Sequence, residues 1–294
     1  MRLVYLGTPD VAVPPLEALV DAGHDVELVV TGPDRRRGRG AATSPSAVKS
    51  AAQARGIAVT HTLAHAAEHG AELGVVVAYG RIIPSSVLDV LPMVNLHFSL
   101  LPRWRGAAPV ERAILAGDAR TGVCVMDVAE GLDEGSVYDR VEVPIGSDVS
   151  ADELREALVS IGSRLLVERL GEGLGTPVPQ AGEPTYAHKL SIEDRRLDWT
   201  RTADELHRIV RVGDAHTAFR GERFKIHAAA VMRDGSAGAA PGTLHGAAIA
   251  TGDGALVPSE VQPAGGTRMS WASFANGARP LDGERFGDTV DVDG

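Results

Sequence analysis

Residues 94–135 read VNLHFSLLPRWRGAAPVERAILAGDARTGVCVMDVAEGLDEG, and their pattern decides the fold. A short apolar run from Val94 gives way to the polar pair Asn95 and His97, a Pro-containing turn follows, and residues 111–116 have helical composition. A second apolar run, 122–128, leads to Asp133 between Gly131 and Gly135. The strand, helix, strand rhythm recurs at residues 2–31, and there it implies a doubly wound, mostly parallel α/β sheet. Both strands of 94–135 end in polar side chains, and strand ends are where open α/β sheets bind ligands.

The residue types define a chemistry. His97 is the side chain whose ordinary pKa lies nearest neutrality, so it can give or take a proton at working pH. Asp133, folded back onto His97, would fix one imidazole tautomer and stabilise its charged form. Asn95 carries an amide that can donate to an oxygen gaining negative charge, an interaction often worth about 3 kcal/mol. None of the three is a covalent nucleophile, so together they suit direct acyl transfer to an amine. A lone Asn-x-His followed by a turn Asp fits a packed core histidine equally well. Which of His97 and Asp133 is the formal base stays open.

Outward from this stretch, residues 2–6, 16–22 and 25–31 repeat the strand, helix, strand rhythm, and the first turn, Gly7-Thr8-Pro9-Asp10, lacks the glycine pattern of a dinucleotide site. The loop 32–45 carries Arg35, Arg36, Arg37 and Arg39 among glycines. Guanidinium forks match phosphate oxygens, and glycines let the backbone adapt to them. A helix over 46–55, a strand over 57–60 and a strand over 74–78 continue the pattern. His61, His65 and His69 recur every four residues, which on a helix places three imidazoles on one face; with no carboxylate partner for the rings, a short surface helix is the simpler account than zinc. Residues 137–143 alternate as a half-exposed strand, and Ser150-x-x-Glu153 opens an amphipathic helix. The Gly- and Pro-rich stretch 171–203 reads as a linker. Beyond it, a helix starting at the Thr202-x-x-Glu205 capping box precedes short β-like runs at 224–228, 242–250 and 255–262, the pattern of a small barrel.

Composition bounds the reading. The chain has 294 residues, 44% hydrophobic but only 4% aromatic, so aliphatic packing must carry much of the core. A net charge of −10 argues against a protein that coats nucleic acid indiscriminately, so an RNA partner must be met by local basic patches. The single cysteine, Cys124, lies in an apolar run and reads as a small buried hydrophobe of a reducing compartment. No secretory leader or apolar run of membrane length is visible, so a soluble cytoplasmic protein is expected.

Asn95-x-His97-x-Ser99-Leu100-Leu101-Pro102, with Arg105-Gly106 and Gly131-Leu132-Asp133-x-Gly135, resembles the signature of the folate-dependent formyltransferases. The continuation Pro102-Arg103-Trp104-Arg105-Gly106-Ala107-Ala108-Pro109 looks most like the family's methionyl-tRNA branch. The resemblance implies a Rossmann-like catalytic domain over 1–170, the linker 171–203 and an OB-like tRNA-binding domain over 204–294. It implies Asn95, His97 and Asp133 as catalytic residues, and Arg81, Ile82, Ile83, Ser99, Leu100, Leu101 and Pro102 at the site of 10-formyltetrahydrofolate. Arg35, Arg36, Arg37 and Arg39 then grip the acceptor end of initiator methionyl-tRNA. The implied reaction is formylation of the methionyl α-amine by a monomer that needs no metal and no membrane. A sugar-nucleotide N-formyltransferase or a formyltetrahydrofolate hydrolase would use the same triad, and a catalytically idle folate- or RNA-binding module is the alternative outside enzymology.

Overall fold

The computed structural model of the chain describes residues 1–36, 43–233 and 239–287. Its apolar runs form the first sheet from β1 (Arg2–Gly7), β2 (Asp25–Val30), β3 (Ala58–Thr60), β4 (Leu73–Val77), β5 (Met93–His97), β6 (Arg120–Asp127) and β7 (Val137–Pro144). Their order across the sheet is β7-β6-β5-β4-β1-β2-β3. Strands β1 to β5 are parallel, while β6 runs antiparallel to β5 and β7 antiparallel to β6. Strand order reverses at β1, which puts a topological switch point beside the carboxyl ends of β1 and β4.

Burial follows composition. Val4, Tyr5 and Leu6 of β1 are fully buried, as expected for a central parallel strand covered on both faces. Val4, Leu6, Leu28, Val30, Val76 and Met93 share one aliphatic cluster. Each such side chain contributes about 1.5–3 kcal/mol when fully buried. On β7 half-buried and exposed positions alternate from Asp139 on, because the strand lies at the sheet edge. Helices Val13–Asp21, Ala47–Ala54 and Ala151–Glu172 fall where their periodicity places them. Ser46 caps the second by accepting from the Lys49 N–H at 3.0 Å.

The histidine row lies on and around a short helix, the simpler of the two accounts the sequence offered. The helix there spans only Ala64–Glu68, so His61 precedes it and His69 is its C-cap. His61 Nδ1 lies 3.1 Å from the Thr31 carbonyl and His65 Nδ1 lies 3.0 Å from Thr60 Oγ1, so the rings serve separate local contacts. Gly70, at a φ of 63°, stops any extension that would have aligned them.

The chain divides into two units, the first made of Met1–Arg112, Ala119–Ile145 and Glu153–His188, and the second of Ala113–Asp118, Gly146–Asp152 and the chain from Lys189 onward. The stretch 171–203 is therefore not a free connection. Val178 bridges Val137, and Tyr186–Ala187 pairs in parallel with Arg105–Gly106. Low apolar content up to Tyr186 hid this, because that part is held by backbone hydrogen bonds, while Leu197 and Trp199 further on are buried in a core.

The second unit carries an antiparallel sheet of β8 (His216–Phe219), β9 (Glu222–Met232), β10 (Leu244–His245), β11 (Ala248–Ala250), β12 (Ala255–Pro263) and β13 (Met269–Ser270). The order is β8-β9-β12-β11-β10, with β13 on β12. Helix Ala203–Arg211 opens with the expected capping box between Thr202 and Glu205. Trp199, Phe219, Phe224, Trp271, Phe274 and Phe286 fill one core, so the chain's few aromatics are concentrated here.

Candidate active site

Two residues apart on β5, Asn95 and His97 project from the same face. Leu96 projects from the other and packs beneath Gly162 of helix Ala151–Glu172, where an added Cβ would come within 3.1 Å of a Leu96 methyl. Apolar packing on one face thus orients the polar pair on the other. Asp133 arrives on the turn between β6 and β7 with φ 51°, a left-handed conformation that Asp tolerates better than most residues. The turn is tight enough that a Cβ on Gly135 would lie 1.9 Å from the Asp127 carbonyl oxygen, so only glycine fits there.

These three side chains meet. His97 Nδ1 lies 3.6 Å from Asp133 Oδ2, and Asn95 Nδ2 donates to Asp133 Oδ1 at 3.4 Å. The Gly106 N–H donates to Asp133 Oδ2 at 2.7 Å, which anchors the carboxylate. His97 is 5% exposed. Its Nε2 lies 2.9 Å from the Trp104 carbonyl, and because a carbonyl only accepts, Nε2 carries the proton. In the neutral ring Nδ1 is then a lone-pair acceptor facing the carboxylate. A substrate N–H entering that gap meets two acceptors at once, which makes the pair a site for proton removal.

The nearby nucleophile types are committed elsewhere. Ser99 is fully buried and its hydroxyl donates to the Arg103 carbonyl at 2.6 Å. Cys124 donates to the Ser99 carbonyl at 3.1 Å, and burial pushes its thiol up to about 11. Neither suits a covalent intermediate. One N–H of the Asn95 amide points at Asp133, and the other is available to an oxyanion.

Other residues implied by the sequence fall into three groups. Arg81 and Ile82 lie after the carboxyl end of β4, and Ile82 is 79% exposed, a flat apolar contact of the kind a heterocycle packs on. Leu100 and Pro102 are half-buried. Ile83 and Leu101 are buried, the first among Tyr79, Val87 and Leu91 and the second against Cys124 and Met126. The side chains of Ile83, Ser99 and Leu101 therefore shape the interior, leaving only their backbones to a ligand. Arg35 and Arg36 are exposed and pair with Ser44 and Thr43 as the stem of a hairpin. Arg37 and Arg39 lie outside the described residues, as does the stretch 288–294. Among the described residues, no group of three or more His, Cys, Asp or Glu side chains is placed to hold a metal ion.

Sequence reasoning missed the supports. The Trp104 carbonyl that fixes the His97 tautomer belongs to a residue at φ 64° whose N–H donates to Thr185 Oγ1 at 2.9 Å. Gln180 donates from Nε2 to the carbonyls of Asp133 and Gly135, both at 2.8 Å. Only the Arg105-Gly106 dipeptide gave a signal, since a glycine at φ 117° marks a close backbone approach.

A family model described as formyl transferase matches residues 1–170, and one described as the formyl transferase C-terminal domain matches residues 189–279. The methionyl-tRNA formyltransferase of Symbiobacterium thermophilum is 42% identical over 97% of this chain and 95% of its own. That of Thiobacillus denitrificans is 44% identical over 98% of this chain and 100% of its own. Among solved structures, an N-formyltransferase from Helicobacter canadensis in complex with folinic acid and dTDP-3-aminofucose superposes with a TM-score of 0.67, at 18% identity, over 88% of this chain and 98% of that one.

Proposed function

Because the chain belongs to the formyl transferase family, we propose that it transfers the formyl group of 10-formyltetrahydrofolate to the α-amine of methionine on initiator methionyl-tRNA. The observation that carries this is identity of 42–44% along nearly the full length of both chains with methionyl-tRNA formyltransferases. Sequence likeness over both units, not the catalytic fold alone, supports the tRNA substrate.

Asn95, His97 and Asp133 are the catalytic residues in this reading. The folate supplies a formyl carbon on a nitrogen that can leave. Asn95 Nδ2 donates to the formyl oxygen as negative charge builds on it. Attack by the amine acidifies its N–H, and His97 Nδ1 takes that proton while Asp133 stabilises the imidazolium. The same nitrogen then returns the proton to the departing folate nitrogen. Arg81, the exposed Ile82, Leu100 and Pro102 contact the folate in this reading.

Arg35, Arg36, Arg37 and Arg39 supply phosphate contacts to an acidic protein that must bind tRNA locally. In the second unit Arg195, Arg196, Arg223 and Lys225 lie about His216 and Asp214, with Lys225 paired to Asp214 at 2.7 Å and Arg196 to Glu193 at 3.7 Å. Burial first, then Arg223, holds His216 below its ordinary value. The second unit shares the tRNA contact through these cations in this reading. Asn95, His97 and Asp133 meet within a single chain, and a monomeric enzyme is the reading proposed. Its tRNA substrate places it in the cytoplasm; no described helix is long and apolar enough to cross a membrane.

Labelled formyl transfer, compared among initiator methionyl-tRNA, elongator methionyl-tRNA, an amino-sugar nucleotide and water, tests the reading. Strong preference for the initiator tRNA is expected. Equal or greater transfer to the amino sugar or to water would overturn it.

A further inference from the structure

The turn bearing Asp133 has no regular secondary structure, and its key residue sits at positive φ, so something outside it must hold the carboxylate in place. The sheet reaches only its two ends, at Asp127 and Val137. From 45 to 47 positions away in sequence, Gln180 spends both N–H groups of its amide on this turn, at the carbonyls of Asp133 and Gly135. Its Oε1 accepts from Arg105 Nε at 3.1 Å and Nη2 at 2.9 Å, and Arg105 Nη1 pairs with Glu134 Oε1 at 3.1 Å. Arg105 is followed by Gly106, whose N–H holds Asp133 Oδ2. One amide therefore ties the backbone of the turn to the strand that anchors its carboxylate. No titratable group offers the same pattern, because two donors and an acceptor on one short planar group are needed.

We infer that Gln180 is a positioning residue for formyl transfer, locking the Asp133 turn so that the carboxylate faces His97 Nδ1. The assignment of a catalytic consequence rests on the formyl-transfer reading above; the mechanical claim does not. Glu in this position keeps the length and the Arg105 contact but, when ionised, sets a carboxylate against two carbonyl oxygens. Protonated, it regains one donor. Activity lost in Gln180→Glu must therefore return as pH falls, which a general loss of folding would not produce.

The test pairs hydrogen exchange at the ends of the turn, the Asp127 N–H that donates to Ser136 and the Val137 N–H that donates to Val178, with steady-state formyl transfer across pH, for the wild type, Gln180→Ala and Gln180→Glu. In Gln180→Ala these amides should exchange at least about tenfold faster while the sheet interior keeps its protection. Its kcat should fall by roughly ten- to a hundredfold, since small misplacements of a catalytic group cost that much, with KM for the formyl donor changed far less. Gln180→Glu should be impaired at pH 8 and recover toward wild type at lower pH relative to the wild-type profile. Wild-type exchange of the turn in Gln180→Ala overturns the positioning role, as does a loss in Gln180→Glu that is the same at every pH. Should Gln180→Ala fail to fold, the near-isosteric Glu variant decides by both readouts. A wild type that transfers no formyl group defeats the functional reading instead, and the exchange data still decide whether Gln180 holds the turn.

Discussion

The corner around Asp133 and the aromatic core of the second unit are built on opposite physical plans. At the corner, groups are placed by directional hydrogen bonds: Gly106 N–H and Asn95 Nδ2 on the carboxylate, Trp104 on the imidazole, Gln180 on the backbone. In the second unit Phe219, Phe224, Phe274 and Phe286 pack mostly edge-to-face or tilted, with centroids 4.5–6.0 Å apart, burying large apolar area with little demand on polar geometry. One plan concentrates orientation and contributes little stability; the other concentrates stability and orients no chemistry. A substitution at the corner should therefore move rate without melting temperature, and one in the aromatic core should do the reverse.

The largest effect tests the corner. Asp133→Asn keeps shape, tolerates the positive φ and retains an oxygen for the Gly106 N–H, but removes the charge that stabilises imidazolium. Formyl transfer should fall by about 10²–10⁴ in kcat while the melting temperature stays within about 2 °C. A melting loss comparable to a core truncation would erase the contrast. Phe224→Ala tests the other side: urea unfolding should report a loss of about 3–5 kcal/mol, because the ring is 2% exposed and touches three other aromatics. A loss below about 1 kcal/mol would show that the core collapses around the gap.

A smaller effect is expected from the Arg35→Ala, Arg36→Ala pair. Filter binding of tRNA across salt concentrations should show a slope shallower by about 1.5, with the KM for the formyl donor unchanged. An unchanged slope would remove the hairpin from the RNA contact. The smallest effect belongs to Glu205, whose carboxyl is lowered to about 2 by the Arg201 guanidinium and then by the Thr202 N–H. A lowered folded pKa contributes stability present above the ordinary carboxylate value and lost as pH falls through about 2. Glu205→Gln should thus be slightly less stable than the wild type at pH 7, with the difference shrinking below about pH 4. A difference that persists at pH 2 would assign the effect to packing instead.

Legibility in the sequence followed the kind of force involved. Strands β1, β2 and β4 to β6 were readable because each is a short apolar run ended by polar or turn residues, and the proposed trio because Asn95, His97 and Asp133 stand in strings that resemble the formyltransferase signature. The histidine row was rightly read as a short helix rather than a metal face, because a period of four aligns side chains only while the chain stays helical, and here five residues do. Gln180 was invisible for the opposite reason: it sits in a Gly- and Pro-rich stretch, and a side chain bonding distant carbonyls leaves no periodic trace. Burial of Ile83 and Leu101 was likewise a matter of tertiary packing, since apolar residues in a turn read the same whether they face a ligand or the core.

The most direct measurement is the single-turnover rate of formyl transfer to initiator methionyl-tRNA by Asn95→Ala, taken beside its melting temperature. The expected result is a rate lower by about 10²–10³ in a protein that melts with the wild type, as befits loss of one oxyanion donor. A rate equal to the wild type's would contradict the assignment of chemistry to the meeting point of Asn95, His97 and Asp133.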